Sequence, residues 1–271
     1  MTDTECVAFL QWALPRLHLA WPGFRKVRRQ VCRRVEQRRR ELRLSDLAAY
    51  RGYLEESRDE WTVLDHLCHI TISRFCRDRA VFDALEQLVL PALAREALSR
   101  HEPALEIWSA GCASGEEPYT IAVMWELGLA PVFVPLGMRI LATDIDDQVL
   151  RRAREACYPP SSLRELPEQW RELAFVPRNR LLCLRPELRG QVEFRYQDLR
   201  ENLPPGPFHL ILCRNLAFTY FELDLQREVA ARLAAALRPG GALVVGLHEA
   251  VPEEVSTLTP WPEARGVYRK C

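Results

Sequence analysis

The segment Glu106–Thr120 constrains what this chain can fold into more than any other part of the sequence. An apolar stretch runs into a turn of small residues, and the turn closes on two glutamates followed by a proline. Small residues allow a sharp turn and a close approach of a ligand to the backbone, and proline is favoured in the first turn of a helix. A strand, a small-residue turn and a helix in this order predict an α/β sheet that binds a nucleotide-like ligand beyond the carboxyl end of its first strand.

The two glutamates, Glu116 and Glu117, indicate the kind of ligand. A phosphate cradle would carry Gly-Lys-Ser/Thr at this point, and carboxylates at the start of a helix would repel a pyrophosphate. They suit instead a ligand that has hydroxyl groups and positive charge. We therefore predict that the cofactor is S-adenosylmethionine, leaving as S-adenosylhomocysteine, and that Gly111, Glu116 and Glu117 are among its contacts.

The length, composition and net charge of the chain do not indicate a binding partner. A length of 271 residues allows one large domain or a small and a medium one, and 48% apolar residues are enough for a sizeable core. The net charge is zero, so overall charge indicates neither a nucleic acid nor a membrane surface. No apolar run approaches the roughly 18 residues of a membrane span, and we expect no membrane insertion.

The cysteines are expected to be reduced. All 9 are scattered between Cys6 and Cys271, and no Cys-x-x-Cys pair occurs. Because no signal peptide is visible, we interpret them as thiols of a cytoplasmic protein, a compartment in which disulfides are rare. Neither disulfides nor a metal site are predicted.

The N-terminal part is predicted to be helical. The stretch Arg25–Arg43 holds 10 Lys or Arg against two glutamates. Apolar residues recur through it at helical spacing, which indicates an amphipathic helix with a basic outer face. Further helices are predicted over 47–56, 60–70 and 79–98. Residues 1–95 are therefore expected to form a helical N-terminal domain and linker.

The remainder, residues 96–271, is predicted to be a Rossmann-like α/β domain. Short apolar runs that end in polar or small residues alternate with helical segments, as is typical of a parallel, doubly wound sheet. Between 170 and 190 the alternation breaks, and two apolar runs flank a turn, which predicts a β-hairpin inserted near 171–190. The predicted strands are 105–108, 138–143, 191–196, 209–213 and 242–247, and the predicted helices are 118–127, 147–155 and 223–237.

Acidic residues follow the second and third of these predicted strands. Asp144 stands where a carboxylate accepts hydrogen bonds from ribose hydroxyls. The alternative for Asp144 is a helix N-cap, because Asp146 and Asp147 follow at once. Asp198 stands where the amine of an adenine is expected, although such a residue often only forms a turn.

The fourth strand ends in Arg214-Asn215, with Tyr220 shortly after. A polar pair at the tip of an apolar strand is costly unless it has partners, so it indicates a binding site. For Arg214 a structural ion pair is the alternative.

Taken together, these residues resemble the CheR-type chemoreceptor glutamate O-methyltransferases over residues 24–249. The most specific matches are 109–119, 142–146 and 213–215, which occur in the family's order behind a basic helical segment. The resemblance implies a class I methyltransferase sheet, a helical N-terminal domain and a small inserted β-subdomain. It also implies S-adenosylmethionine-dependent formation of glutamate methyl esters.

The resemblance assigns site residues as well. Family members carry a linker motif of the form Asn-x-Thr-x-Phe-Phe-Arg, and Thr71, Ser73 and Arg77 occupy its Asn, Thr and Arg positions. Tyr220 matches a tyrosine near the transferred methyl, so Arg77 and Tyr220 are the implied catalytic residues. The implied cofactor contacts are Thr71, Ser73, Arg77, Glu116, Glu117, Asp144, Asp198, Leu199, Asn215 and Leu216.

The acceptor is left open, because the chain departs from the family pattern. Thr71 and Asp198 replace asparagines, and four residues instead of three separate Asn215 from Tyr220. An acidic helical, chemoreceptor-like protein facing the basic helix is the leading candidate. A small-molecule or other protein acceptor is the second, and a non-catalytic module that binds S-adenosylmethionine is the third. The basic helix itself is either such an interface or a solvated surface, and its lack of interleaved aromatic residues disfavours nucleic acid.

Overall fold

The computed structural model describes residues 2–201 and 203–271, which form two compact units. One unit comprises the residues up to 70 together with 219–226, and the other comprises 71–218 and 227–271. Within the described residues, no helix is long and apolar enough to cross a membrane.

The α-helices are α1 Asp3–Ala13, α2 Trp21–Phe24, α3 Arg28–Glu41, α4 Leu47–Glu56, α5 Arg58–Cys68, α6 Arg79–Ala84, α7 Leu90–Ser99, α8 Glu116–Met124, α9 Asp147–Glu155, α10 Glu168–Ala174, α11 Pro186–Arg189, α12 Ala217–Tyr220 and α13 Leu223–Ala236. Short 3₁₀ segments lie at Leu14–Leu17 and Pro160–Leu163, and π-helical turns lie at Leu85–Val89 and Trp125–Leu129. The strands are β1 Ala104–Ala110, β2 Gly137–Asp144, β3 Cys157–Tyr158, β4 Phe175–Arg178, β5 Leu181–Leu184, β6 Val192–Tyr196, β7 Phe208–Leu212, β8 Leu237–Val244, β9 Leu258–Pro260 and β10 Val267–Lys270.

The helical unit packs α1, α3, α4 and α5 around an apolar centre. Leu10, Val31 and Leu64 are fully buried there. A buried polar group also holds the unit together, because the Glu60 carboxylate accepts hydrogen bonds from Arg38 and from the Tyr50 hydroxyl. Burying a carboxylate requires partners of this kind. The pair of Arg38 in α3 with Glu60 in α5 therefore fixes how these two helices pack.

The sheet unit has the predicted α/β architecture. Its seven strands run in the order β6-β2-β1-β7-β8-β10-β9. The first five are mutually parallel, while β10 is antiparallel to β8 and to β9. Central strands that are covered on both faces are mostly apolar, and all five residues of β7 are buried, with His209 as its one polar member. The carboxyl ends of β1, β2 and β7 lie at one edge, which is where the predicted site residues stand.

The predicted hairpin is present as part of a separate three-stranded sheet. β4 and β5 pair antiparallel, and β3, which the sequence pattern did not indicate, pairs with β5 on the other side. The first strand of the hairpin begins at Phe175, because Leu173 and Ala174 still belong to α10. A two-residue strand such as β3 has no periodicity of its own, and only its partner defines it.

The expectation of reduced cysteines is wrong for four of them. Cys6 and Cys32 form a disulfide between α1 and α3, and Cys157 and Cys183 form one between β3 and β5. Each pair is separated by 26 residues, so chain spacing does not show it. Packing brings the first pair together, and direct cross-strand register brings the second together.

Candidate functional site

The site is built on the turn between β1 and α8. Gly111 and Gly115 have φ angles of +77° and +90°, a region in which a side chain is strained. The amides of Gly111 and Cys112 donate to the Thr143 carbonyl at 2.8 and 2.9 Å. These two bonds fasten the turn after β1 to the end of β2.

Gly111 also lets a second turn approach. A Cβ atom at this position would lie 2.4 Å from Cδ2 of Leu216, so the Leu216 side chain occupies the space that any larger residue would need. The glycine thus serves a close contact within the protein, in addition to the left-handed conformation of the turn. Through this contact the segment after β7 packs directly on the segment after β1.

Asp144, predicted to bind ribose, organises the backbone around it. Its two carboxylate oxygens accept from the Ala113 amide at 2.9 Å and the Asp146 amide at 3.0 Å. The N-cap of α9 is Asp146, whose side chain accepts from the amides of Gln148 and Val149. The N-cap alternative for Asp144 is therefore wrong.

The two glutamates of the turn differ in their surroundings. Glu117 accepts from the Ser109 hydroxyl at 2.8 Å through one oxygen and from Arg214 at 3.1 Å through the other. Glu116 is buried, and its Oε2 has no hydrogen-bond partner among the described residues. Burial raises the pKa of Glu116, and a hydrogen bond involving Ser73 opposes that rise. An orphaned buried carboxylate oxygen is rare and indicates a group that the protein alone does not supply.

Together these carboxylates make the turn electronegative. Burial and the nearby charges of Asp144, Glu117 and Glu116 raise the pKa of the Cys112 thiol. Such a site would repel phosphates and attract a cationic ligand that carries hydroxyl groups. This set of acceptors therefore fits the ammonium, sulfonium and ribose groups of S-adenosylmethionine.

Arg214 is a buried cation that offsets part of this charge. Its guanidinium donates to Glu117, to Asp78 at 3.0 Å and to the Arg77 carbonyl at 2.7 Å. It also lies over the Phe82 ring at 4.9 Å from the centroid. Arg214 is thus the ion-pair residue that the sequence left as an alternative, and Asp78 is a partner that the sequence analysis missed.

Arg77 and Asp78, which Arg214 contacts, belong to the linker between the predicted helical and sheet domains. The Arg77 guanidinium donates to the Ile72 carbonyl at 2.7 Å, so its side chain folds back along the linker. Ser73 lies beside Glu116, whose pKa it affects. Cys76 and Asp78 adopt positive φ angles, which is uncommon for residues other than glycine. Thr71 opens the same linker and is partly exposed.

Asn215 also has an unusual backbone conformation. Its φ angle is +54°, and its amide donates to the Glu249 carboxylate at 2.7 Å. Sequence analysis predicted Asn215 and missed Glu249. The one sequence signal for Glu249 is its position as an acidic residue shortly after the apolar run of β8.

Asp198 already has a partner. Its carboxylate accepts from the Arg200 guanidinium and from the Arg200 backbone amide at 2.8 Å. The following residue, Leu199, is buried. The segment adjoins Asp144, whose carbonyl accepts from the Gln197 amide at 3.0 Å. Its assignment to adenine remains a prediction.

Tyr220 belongs to the helical unit. Its ring packs against Phe24 with a centroid distance of 5.0 Å, and its carbonyl accepts from the Ala20 amide at 2.7 Å. Gly23 is required beside it, since a Cβ there would lie 2.1 Å from the Thr219 carbonyl. The methyl-transfer role of Tyr220 remains a prediction.

The family model described as "CheR methyltransferase, SAM binding domain" matches residues 71–266. The chain belongs to the CheR methyltransferase family. The match begins at the first residue of the sheet unit and includes every predicted site residue from Thr71 to Tyr220.

Individual relatives agree with this membership. The chemotaxis protein methyltransferase of Listeria monocytogenes is 37% identical over 188 residues, which cover 68% of this chain and 67% of that protein. The corresponding protein of Salmonella typhimurium is 34% identical over 232 residues, covering 82% and 76%. Chemotaxis protein methyltransferase 2 of Pseudomonas aeruginosa is 34% identical over 225 residues, covering 81% and 77%. This CheR-family chain is an S-adenosylmethionine-dependent methyltransferase.

The buried position of Arg214 generates a stability prediction. Arg214→Met would leave the carboxylates of Glu117 and Asp78 without their cation, and breaking a buried pair costs about 3–5 kcal/mol. We expect a loss of this size in the free energy of unfolding, measured by urea denaturation. Arg227→Met is the matched control because the pair of Arg227 with Glu254 is solvent-exposed, where such pairs contribute about 0–1 kcal/mol. Equal effects of the two substitutions would contradict the role of Arg214.

Proposed function

We propose that this CheR-family enzyme methylates glutamate side chains on an acidic, helical, chemoreceptor-like protein. Its membership of the family and the names of its relatives, chemotaxis protein methyltransferases, support the acceptor class. The electronegative turn supports the cofactor. Exposed basic residues of the helical unit that have no ion-pair partner among the described residues support an acidic partner.

The methyl transfer does not require a strong general base. Bound S-adenosylmethionine supplies a methyl group on a cationic sulfur. A glutamate carboxylate is already ionised near neutral pH, so its oxygen can attack without losing a proton. The O–CH₃ bond forms as the S–CH₃ bond breaks, and the bonding electrons return to sulfur. The protein therefore contributes mainly by aligning the two reactants and excluding water.

Individual residues take the following roles in this proposal. Asp144 holds the ribose, and Glu116 and Glu117 face the cationic end of the cofactor. Arg77 exchanges its Ile72 carbonyl for the incoming carboxylate, since a guanidinium binds carboxylates in a fixed geometry. Tyr220 lines the methyl-transfer position. The remaining contacts are assigned to Thr71, Ser73, Gly111, Asp198, Leu199, Asn215 and Leu216.

The basic helix supports an acidic partner only in part, because many of its arginines are paired internally. Arg38 binds the buried Glu60, and Arg39 and Arg40 bind Glu36. The hydrogen bond from Arg39 is the main cause that lowers the pKa of Glu36 to about 2. Arg28 pairs with Asp3. These arginines already have carboxylate partners within the helical unit.

Four other basic residues in this region differ from these paired arginines in having no ion-pair partner among the described residues. Arg25, Lys26, Arg29 and Arg33 are exposed, and no ion pair to another residue in 2–201 or 203–271 engages them. Arg29 and Arg33 lie one turn apart on the same face of α3. Uncompensated positive charge of this kind steers an acidic partner, and we call these four residues the basic stripe.

Transfer of a radiolabelled methyl group tests the proposed acceptor. The purified chain is incubated with labelled S-adenosylmethionine and either a chemoreceptor signalling fragment or a set of small carboxylates and amines. Label on the fragment that is released by mild base identifies glutamate methyl esters and supports the proposal. Label on a small acceptor alone would overturn the acceptor assignment. Tight cofactor binding without any transfer would overturn the enzymatic role.

Arg77 and Asp144 should have separable effects. Arg77→Ala is expected to lower kcat about 100-fold, the scale of a misaligned reactant, while calorimetric affinity for S-adenosylhomocysteine stays largely intact. Asp144→Ala should weaken that affinity about 10- to 100-fold, because hydrogen bonds to a charged carboxylate are lost. Asp147→Ala, on the exposed side of α9, is the control. Full turnover of the Arg77 variant, or unchanged affinity of the Asp144 variant, would refute the respective role.

Reversing charge in the basic stripe should weaken acceptor binding alone. Arg29→Glu with Arg33→Glu is expected to raise KM for the receptor fragment about tenfold at low salt, to leave kcat unchanged and to flatten the salt dependence of KM. Arg95→Glu with Arg265→Glu makes the same change in net charge at exposed positions of the sheet unit. If this control pair raises KM equally, the stripe has no specific role.

A further inference from the structure

Glu249 connects two of the strand ends that form the site. It follows β8 and the buried Gly246. One carboxylate oxygen, Oε2, accepts the Asn215 amide at 2.7 Å and the Gly246 amide at 2.6 Å. Hydrogen bonds to an ionised acceptor are the stronger ones, so this single oxygen holds the segments after β7 and β8 together.

The bond to Asn215 acts on a residue in an unfavourable conformation. Asn215 has a φ angle of +54°, and residues other than glycine adopt this region only when their surroundings compensate for it. Asparagine tolerates it better than most. The carboxylate of Glu249 receives the amide in this conformation and so stabilises it.

Gly246 is the third member of the arrangement. A Cβ atom at this position would lie 2.7 Å from Oε2 of Glu249 and 3.0 Å from Oδ1 of Asn215. Neither side chain could keep its place beside a larger residue. The glycine is therefore required so that the carboxylate and the asparagine amide can approach the same backbone.

The conformation held in this way also places Leu216. Because Asn215 is in the left-handed region, the chain turns so that Leu216 packs over Gly111. Gly111 begins the turn between β1 and α8, which we call the cofactor turn. Asn215 and Leu216 are both assigned to the cofactor in the proposed function. One carboxylate outside that set thus controls the backbone of two residues inside it.

We propose that Glu249 is a positioning residue for cofactor binding. It holds the Asn215–Leu216 turn against the segment after β8 by accepting the backbone amides of Asn215 and Gly246, and it acts on the cofactor through this turn and not through its own charge. The inference rests on the proposed function, which places Asn215 and Leu216 at S-adenosylmethionine.

Calorimetric binding of S-adenosylmethionine and S-adenosylhomocysteine to Glu249 variants tests the mechanism. Glu249→Ala should weaken both ligands about tenfold and by the same factor, because the loss lies in the turn. Glu249→Gln should restore most of the affinity, since one amide oxygen can accept both backbone amides. Glu249→Asp should resemble the alanine variant, because its carboxylate is one methylene too short to reach both.

Three outcomes would overturn the proposal. The first is an alanine variant that binds both ligands as the unmodified protein does. The second is a glutamine variant that remains weak while aspartate restores binding, which would show that the charge is what matters. The third is a loss larger for S-adenosylmethionine than for S-adenosylhomocysteine, which would indicate contact with the sulfonium. Glu253→Ala, an exposed neighbour, is the control and should bind normally.

The same measurements separate this inference from the proposed function. If Asp144→Ala and Asn215→Ala leave the affinity unchanged, the assignment of the cofactor site is wrong whatever Glu249 does. If they weaken binding while Glu249→Ala does not, only the positioning role fails. Should the alanine variant not fold, the contrast between the glutamine and aspartate variants still decides the question.

Discussion

The buried guanidinium of Arg214 is the interaction on which the rest of the site depends. A cation removed from water requires partners, and Arg214 finds them on separate segments, at Glu117 in α8, and at Asp78 and the Arg77 carbonyl in the linker. The end of β7, the cofactor turn and the linker are thereby held in one relative position. None of these segments can shift without leaving a charge unpaired.

Around this cation the backbone is held by a few unusual residues. Gly111 and Gly115 adopt positive φ angles in the turn after β1, and Asn215 does so after β7. A carboxylate at the end of β2 and one beyond β8 accept hydrogen bonds from these turns. Asp144 binds the amide of Ala113, and Glu249 binds the amide of Asn215. These acidic side chains therefore hold the backbone of the site in place.

The helical unit divides its positive charge between two uses. Arg38, Arg39 and Arg40 are neutralised by glutamates of the same unit, and this pairing shapes the packing of α3. The residues of the basic stripe are left to solvent or to a partner. Composition alone cannot distinguish these uses, because the pairing of Arg38 joins residues that are distant in sequence.

The sequence by itself determined the α/β class, the inserted hairpin, the cofactor and most of the strand-end residues, because hydrophobic period and turn chemistry are local signals. The family membership confirmed the cofactor that Glu116 and Glu117 had indicated. Only the tertiary structure decided how Arg214 is paired, that Glu249 holds Asn215, that β3 exists and that Cys157 joins Cys183. Each of these is a contact between distant segments, and no spacing along a single chain specifies which distant residues packing will bring together.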